Sequence, residues 1–188
     1  LLNKAITLDG NLISARLLLG DSFREIGDYD EAMDIYSSAL TKAEELGNKL
    51  WIGRSTRKVG NIFHAKKEYD TALDYWNRAF VISEEIDDML GMGASLNNIG
   101  IVHNNKGDLD TALDYYERSL AIREELGVKR GMGYSLNSIG LVHYYKGDYE
   151  KAEDYLEKSL AIQKEIGLKR SELGTTTNLY LTYKRLDK

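Results

Sequence analysis

Two stretches of this 188-residue chain, 40 residues apart, carry the residue types of a phosphate-binding loop. They are GMGASLNNIG over Gly91–Gly100 and GMGYSLNSIG over Gly131–Gly140. Glycines ahead of a helix let backbone N–H groups approach an anion, so either stretch could cradle a nucleotide phosphate. A second candidate chemistry lies in Arg54, Arg57, Lys58, Asn61 and His64, whose steps of three and four share one helical stripe and suit carboxylates. Three histidines, His64, His103 and His143, are candidate metal ligands. Two rows of acids, Asp34, Asp74, Asp114, Asp154 and Glu44, Glu84, Glu124, are candidates for acid–base work. There is no cysteine, which excludes disulfides, thiolate zinc sites and thiol nucleophiles.

The spacing decides among these readings. Gly20, Gly60, Gly100 and Gly140 recur every 40 residues, and so do Ala32, Ala72, Ala112 and Ala152. Aligned without gaps, 91–130 and 131–170 agree at 25 of 40 positions. A loop that recurs in register with everything around it is part of a repeat, and no strand-like run precedes it as a phosphate loop requires. Nucleotide binding is therefore not expected, and Gly91, Gly93, Gly131 and Gly133 are read as the turn into a helix. The histidines belong to different repeats, too far apart to share one metal; His103 and His143 read as packing residues. The carboxylate rows read as solvated faces, because acid–base pairs need a shared, sheltered cleft.

Within one repeat, apolar residues recur at three and four. Leu96, Ile99, Gly100 and His103 mark a first helix, and Ala112, Tyr115, Tyr116, Ser119 and Leu120 a second. Lys106-Gly107-Asp108 separates them, with glycine suited to a left-handed helix end and Asp108 to the next start. Asp28 and Glu31 have capping-box spacing. The chain has no proline, so nothing stops a helix but glycine and polar turns. The pattern predicts an all-α chain with first helices near 12–26, 51–66, 91–106 and 131–146, and second helices near 29–46, 69–86, 109–126 and 149–166. Gly60, Gly100 and Gly140 are expected where the two helices of a hairpin approach closely.

These residues resemble the tetratricopeptide repeat family: Leu96, Ile99-Gly100, His103, Ala112 and Tyr116, with three further registers of the same pattern. The period of 40 in place of 34 is similar to the subclass of kinesin light chains, Leu-Gly-Asn repeat adaptors and Rap regulators, and the extra residues are expected in the second helix. The resemblance implies a right-handed α-solenoid of stacked helix-turn-helix repeats at 11–50, 51–90, 91–130 and 131–170. Residues 1–9 are expected to end a preceding repeat, and 171–188 to form a capping or truncated helix.

Stacked repeats present their first helices on a concave face. One step off the packing face lie Ser14, Leu17, Leu18, Asp21 and Arg24 in repeat one, and Arg54, Arg57, Lys58, Asn61 and His64 in repeat two. Repeat three contributes Ala94, Asn97, Asn98, Ile101, Asn104 and Asn105. Repeat four contributes Tyr134, Asn137, Ser138, Leu141, Tyr144 and Tyr145. Asparagines suit a peptide backbone, basic groups its carboxylates and tyrosines its apolar side chains. In proteins the chain resembles, asparagines and basic residues on these helices hold peptides, and Asn97 and Asn137 fall in that pattern. The expectation is a protein-interaction scaffold, not an enzyme and without cofactors, that binds an extended acidic peptide across repeats two to four. Two alternatives stay open: a regulatory array within a larger signalling enzyme, and self-assembly by end-to-end stacking.

Net charge is -5, which argues against broad binding to nucleic acid or anionic membrane. No apolar run reaches membrane-spanning length. A cytoplasmic location is the default expectation, and the start LLNKAITLDG reads as the inside of a longer chain.

Overall fold

The computed structural model describes the backbone of residues 2–187 and the side chains of residues 10–187. Among them are nine helices and no strand: α1 (Leu2–Ile26), α2 (Tyr29–Glu45), α3 (Lys49–Ala65), α4 (Tyr69–Glu85), α5 (Met89–Asn105), α6 (Leu109–Glu125), α7 (Lys129–Lys146), α8 (Tyr149–Glu165) and α9 (Lys169–Arg185). They form two compact units, Leu1–Ser95 and Leu96–Lys188. The fold class is an all-α solenoid of helical repeats.

Turn chemistry explains the bounds. Asp28 and Asp108 cap second helices, their carboxylates accepting from the N–H groups of Glu31 and Thr111 at 3.3 Å. Gly107 closes a first helix at φ 81°, as its position predicted. Lys67 holds the same left-handed position at φ 65° without being glycine. Its place is secured by Lys67 N–H donating to His64 O and Glu68 N–H to Phe63 O, both at 2.9 Å.

Three boundaries differ from the sequence reading. First helices begin about two residues early, because Asn48 caps α3 by accepting from Trp51 N–H. The left-handed residues that turn the chain are Gly47, Asp87, Gly127 and Gly167. Gly91 and Gly131 consequently lie inside α5 and α7, not at the turn. There they allow close approach: a Cβ on Gly91 would stand 2.3 Å from Ser83 Oγ, and one on Gly131 2.7 Å from Arg123 Cδ. Helices α3 and α4 have 17 residues each, as do α5 and α6, so in these hairpins the second is not the longer. Finally, α1 runs unbroken from Leu2 through Gly10 to Ile26, and the missing Cβ of Gly10 leaves room for Trp51, whose Nε1 would stand 2.9 Å from it.

In the first unit Ile13 and Leu17 of α1, Ala32, Tyr36, Ala39 and Ala43 of α2, and Val59 and Ile62 of α3 form a closed core. Ala72, Trp76 and Ala79 bury α4. In the second unit Ala112 and Tyr116 of α6 pack with Ile139 and Val142 of α7, and Tyr155 backs them. The glycines at the hairpin crossings have the expected role. An added Cβ would lie 2.7 Å from Trp76 at Gly60, 2.8 Å from Tyr116 at Gly100 and 2.7 Å from Leu156 at Gly140.

Ion pairs repeat with the period. Lys66 meets Asp30 at 2.7 Å and Lys146 meets Asp110, both 36 residues back. Lys49 meets Glu85 at 3.0 Å and Lys129 meets Glu165, both 36 ahead. Exposed pairs of this kind contribute little each, so apolar burial holds the hairpins.

Candidate functional site

The stripe anticipated on α3 exists, but its members have different employments. Lys58 is committed within the unit: its ammonium lies 2.6 Å from both carboxylate oxygens of Asp21. The same carboxylate accepts the Tyr36 hydroxyl at 2.6 Å. Burial pulls the Lys58 ammonium below the usual lysine value, and Asp21 pulls it back. Burial and the bond to Asp21 both push the Tyr36 hydroxyl above its ordinary value.

Arg54 stacks over Trp51 at 5.1 Å and sits 4.0 Å from Asp88. Asn61 is structural, its amide oxygen accepting the Trp76 indole N–H at 3.1 Å beside the Arg57 carbonyl. His64 packs against Tyr69 and Trp76 with centroids at 5.6 and 5.5 Å. Burial holds its imidazole below the ordinary histidine value.

Arg57 stands apart. It is half-buried, and burial pulls its guanidinium below the usual arginine value, Asp21 raising it and Arg54 lowering it further. No side chain among the described residues makes an ion pair or hydrogen bond with that guanidinium. In the first repeat Leu17 is buried at 6% exposure, so it belongs to the core and not to the stripe.

In the second unit Asn97 is buried, its amide oxygen facing Arg123 Nη1 at 3.5 Å. That nitrogen also donates to the Gly131 carbonyl at 2.7 Å and to Ser135 Oγ at 2.9 Å. Arg123 is thus an organiser that the sequence reading missed. The available signal was its row, in which Ala43 and Ser83 are small while Arg123 and Gln163 are long and polar.

Asn137 is half-buried, and its amide oxygen accepts from Thr175 Oγ1 and Asn178 Nδ2, both at 3.1 Å. Its own amide nitrogen has no hydrogen-bond partner among the described residues and is not buried. Asn98 is half-buried and engaged within the protein, and Asn104 keeps a buried amide oxygen without a partner. Tyr134 is 38% exposed, with Arg130 5.9 Å from its ring. Tyr144 contacts Tyr145 and Tyr149 edge-on and lines a small cavity of about 330 Å³ with Leu181, Lys184 and Arg185.

His103 and His143 stack on Tyr115 and Tyr155 and reach Asp108 and Asp148 at 3.2 and 3.4 Å, as packing residues do. No described helix is long and apolar enough to cross a membrane.

The tetratricopeptide repeat family model matches residues 11–88 and 91–165. Among solved structures, BtubC (BKLC) from P. vanneervenii is similar at 21% identity and a TM-score of 0.80, over 99% of this chain and 80% of that one. A Rap protein complexed with Competence and Sporulation Factor is similar at 18% identity and a TM-score of 0.80, over 89% of this chain and 47% of that one. A putative kinesin light chain of nearly identical TPR-like repeats from Podosopora anserina gives 15% identity and a TM-score of 0.69, over 93% and 87%. At these identities the likeness is one of fold. Among curated proteins none matches the chain by sequence.

Proposed function

Because this chain belongs to the tetratricopeptide repeat family, we propose that it is a protein-interaction scaffold whose first helices hold an extended, acidic peptide segment, without chemistry of its own. Arg57 carries the reading. A half-buried guanidinium with no ion pair among the described residues bears a desolvation cost that a carboxylate from a ligand would offset. Its neighbour Lys58 cannot take that role while Asp21 occupies it. Arg54, loosely placed near Asp88, assists Arg57. In the second unit the free amide N–H of Asn137 serves a peptide carbonyl, and exposed Tyr134 an apolar side chain. The complex of a Rap protein with Competence and Sporulation Factor, on the same fold, supports reading the array as a holder of another molecule.

Panning a displayed library of random peptides against the chain tests this. The expected result is enrichment of acidic sequences that lose binding to Arg57→Glu and keep it to Lys151→Glu, a charge change on an exposed face of α8. Enrichment of neutral or basic sequences, or equal binding by both variants, overturns it.

A further inference from the structure

The middles of the first helices differ in charge. Residues 54–64 of α3 carry Arg54, Arg57 and Lys58, and residues 14–24 of α1 carry Arg16, Asp21 and Arg24. The in-register stretches of α5 and α7, residues 94–104 and 134–144, hold no Asp, Glu, Lys or Arg. The repeat therefore folds without charge at these positions, and the cations of the first unit have another cause. Arg16 donates to Ser38 on α2 and is spoken for.

The other four cations share two carboxylates. Asp21 takes Lys58 and the Tyr36 hydroxyl, each at 2.6 Å. Arg24 stands 3.9 Å from the same carboxylate, beyond hydrogen-bond distance, and its Nε is buried with no partner among the described residues. Asp88 stands 4.0 Å from Arg54, again too far for a hydrogen bond. Arg57 feels both carboxylates and Arg54, yet makes no ion pair or hydrogen bond with a described side chain. Arg24, Arg54, Arg57 and Lys58 against Asp21 and Asp88 leave two positive charges in excess, on a chain whose net charge is -5. Lys58, Arg54 and Arg24 are only 18%, 34% and 36% exposed, so solvent and salt screen that excess incompletely.

We propose that the bound peptide carries a phosphorylated residue, and that its phosphoryl group lies among Arg24, Arg54 and Arg57. One aspartate or glutamate would cancel one of the two surplus charges. A phosphoryl group carries about -1.5 to -2 at pH 7 and matches both. Its three acceptor oxygens also meet several guanidinium forks at once, where a carboxylate offers two. Lys58 stays with Asp21 and Tyr36. Resting on the reading of these first helices as a peptide groove, this makes phosphorylation of the partner the event that switches its capture on.

The test uses degenerate peptide libraries that are identical but for a fixed central serine, glutamate, phosphoserine or phosphotyrosine. Each is passed over the immobilised 188-residue chain, and retained sequences are titrated in every central form. A phosphorylated form should bind at least about tenfold tighter than its glutamate form, and the glutamate form tighter than the serine form. Arg57→Gln, Arg54→Gln and Arg24→Gln should each cut the phosphorylated-over-glutamate ratio by about threefold or more, while Lys151→Gln on the exposed face of α8 keeps it. Circular dichroism checks that each variant folds. Glutamate forms that bind as tightly as both phosphorylated forms overturn the phosphoryl site and leave the acidic-peptide reading standing. A preference that survives all three arginine variants lies elsewhere on the chain and overturns the site as well. Retention of no library overturns both.

Discussion

Lys58 on α3 places its ammonium 2.6 Å from both oxygens of the Asp21 carboxylate on α1, and Tyr36 on α2 donates to the same group. One carboxylate therefore ties three helices and withdraws a cation from the face that Arg57 occupies. Asp21→Asn separates the two effects, because an amide oxygen still accepts the Tyr36 hydroxyl while the negative charge is gone. Lys58, only 18% exposed, is left as an unpaired cation, and stability should fall by about 1–3 kcal/mol in urea unfolding. Affinity for an acidic peptide that binds the wild type should rise, with steeper salt dependence. A variant with unchanged stability and unchanged binding would show that Lys58 was never held back.

Gly100 and Gly174 are both helical, and their surroundings predict opposite responses to one methyl group. At Gly100 a Cβ would stand 2.8 Å from the Tyr116 ring, which is buried at the hairpin crossing. Gly100→Ala should cost about 1–3 kcal/mol by overpacking, and Gly100→Leu more. At Gly174 the space is open, so Gly174→Ala should stabilise by about 0.5–1 kcal/mol through helix propensity. Thermal melts of the two alanine variants check the pair; shifts of the same sign would contradict the packing account.

Much of this architecture is legible in the sequence because the hairpin repeats its own constraints. A small residue at Gly60, Gly100 and Gly140 and an alanine twelve positions later describe the same crossing each time, so the period exposes it. Helix starts are less legible. Gly91 and Gly131 look like turn residues, yet Asp87 and Gly127 take the left-handed conformation, and the glycines answer to Ser83 and Arg123 on the preceding helix. The site is legible as a face but not in its partners. Whether Lys58 is available depends on Asp21, 37 residues away, and whether Asn137 accepts or donates depends on Thr175 and Asn178, 38 and 41 away. Such contacts follow from side-chain reach between stacked helices, which a helical wheel of one repeat does not contain.

His64 gives the first unit a dependence on acid. Burial lowers its folded-state pKa, so between that value and the unfolded value near 6.5 the unfolded chain binds more protons than the folded one. Stability contributed by the neutral ring is present above the unfolded pKa and is lost as pH falls through the folded one. His64→Phe keeps a ring against Tyr69 and Trp76 but cannot be protonated. The urea midpoint of the wild type should drop more than that of the variant between pH 7 and pH 5. Parallel profiles would mean that protonation of His64 is not resisted by its burial.

The acidic-peptide reading makes different demands on Arg57, Asn137 and Asn97. Arg57→Glu removes an attraction and adds a repulsion, so binding of an acidic peptide should weaken most at low salt, and its salt dependence should shrink. Asn137→Ala removes a neutral donor, so it should cost about 1–2 kcal/mol of binding at either salt, together with some stability lost from Thr175 and Asn178. Asn97→Ala should instead act on stability, since the buried amide faces Arg123 and an alanine there leaves that guanidinium a bond short. Titrating all three variants with one selected peptide at two ionic strengths, beside urea unfolding of each, separates these effects. If Arg57→Glu lowers affinity equally at both salts, Arg57 does not meet a carboxylate, and the anion anchor on α3 is lost from the reading.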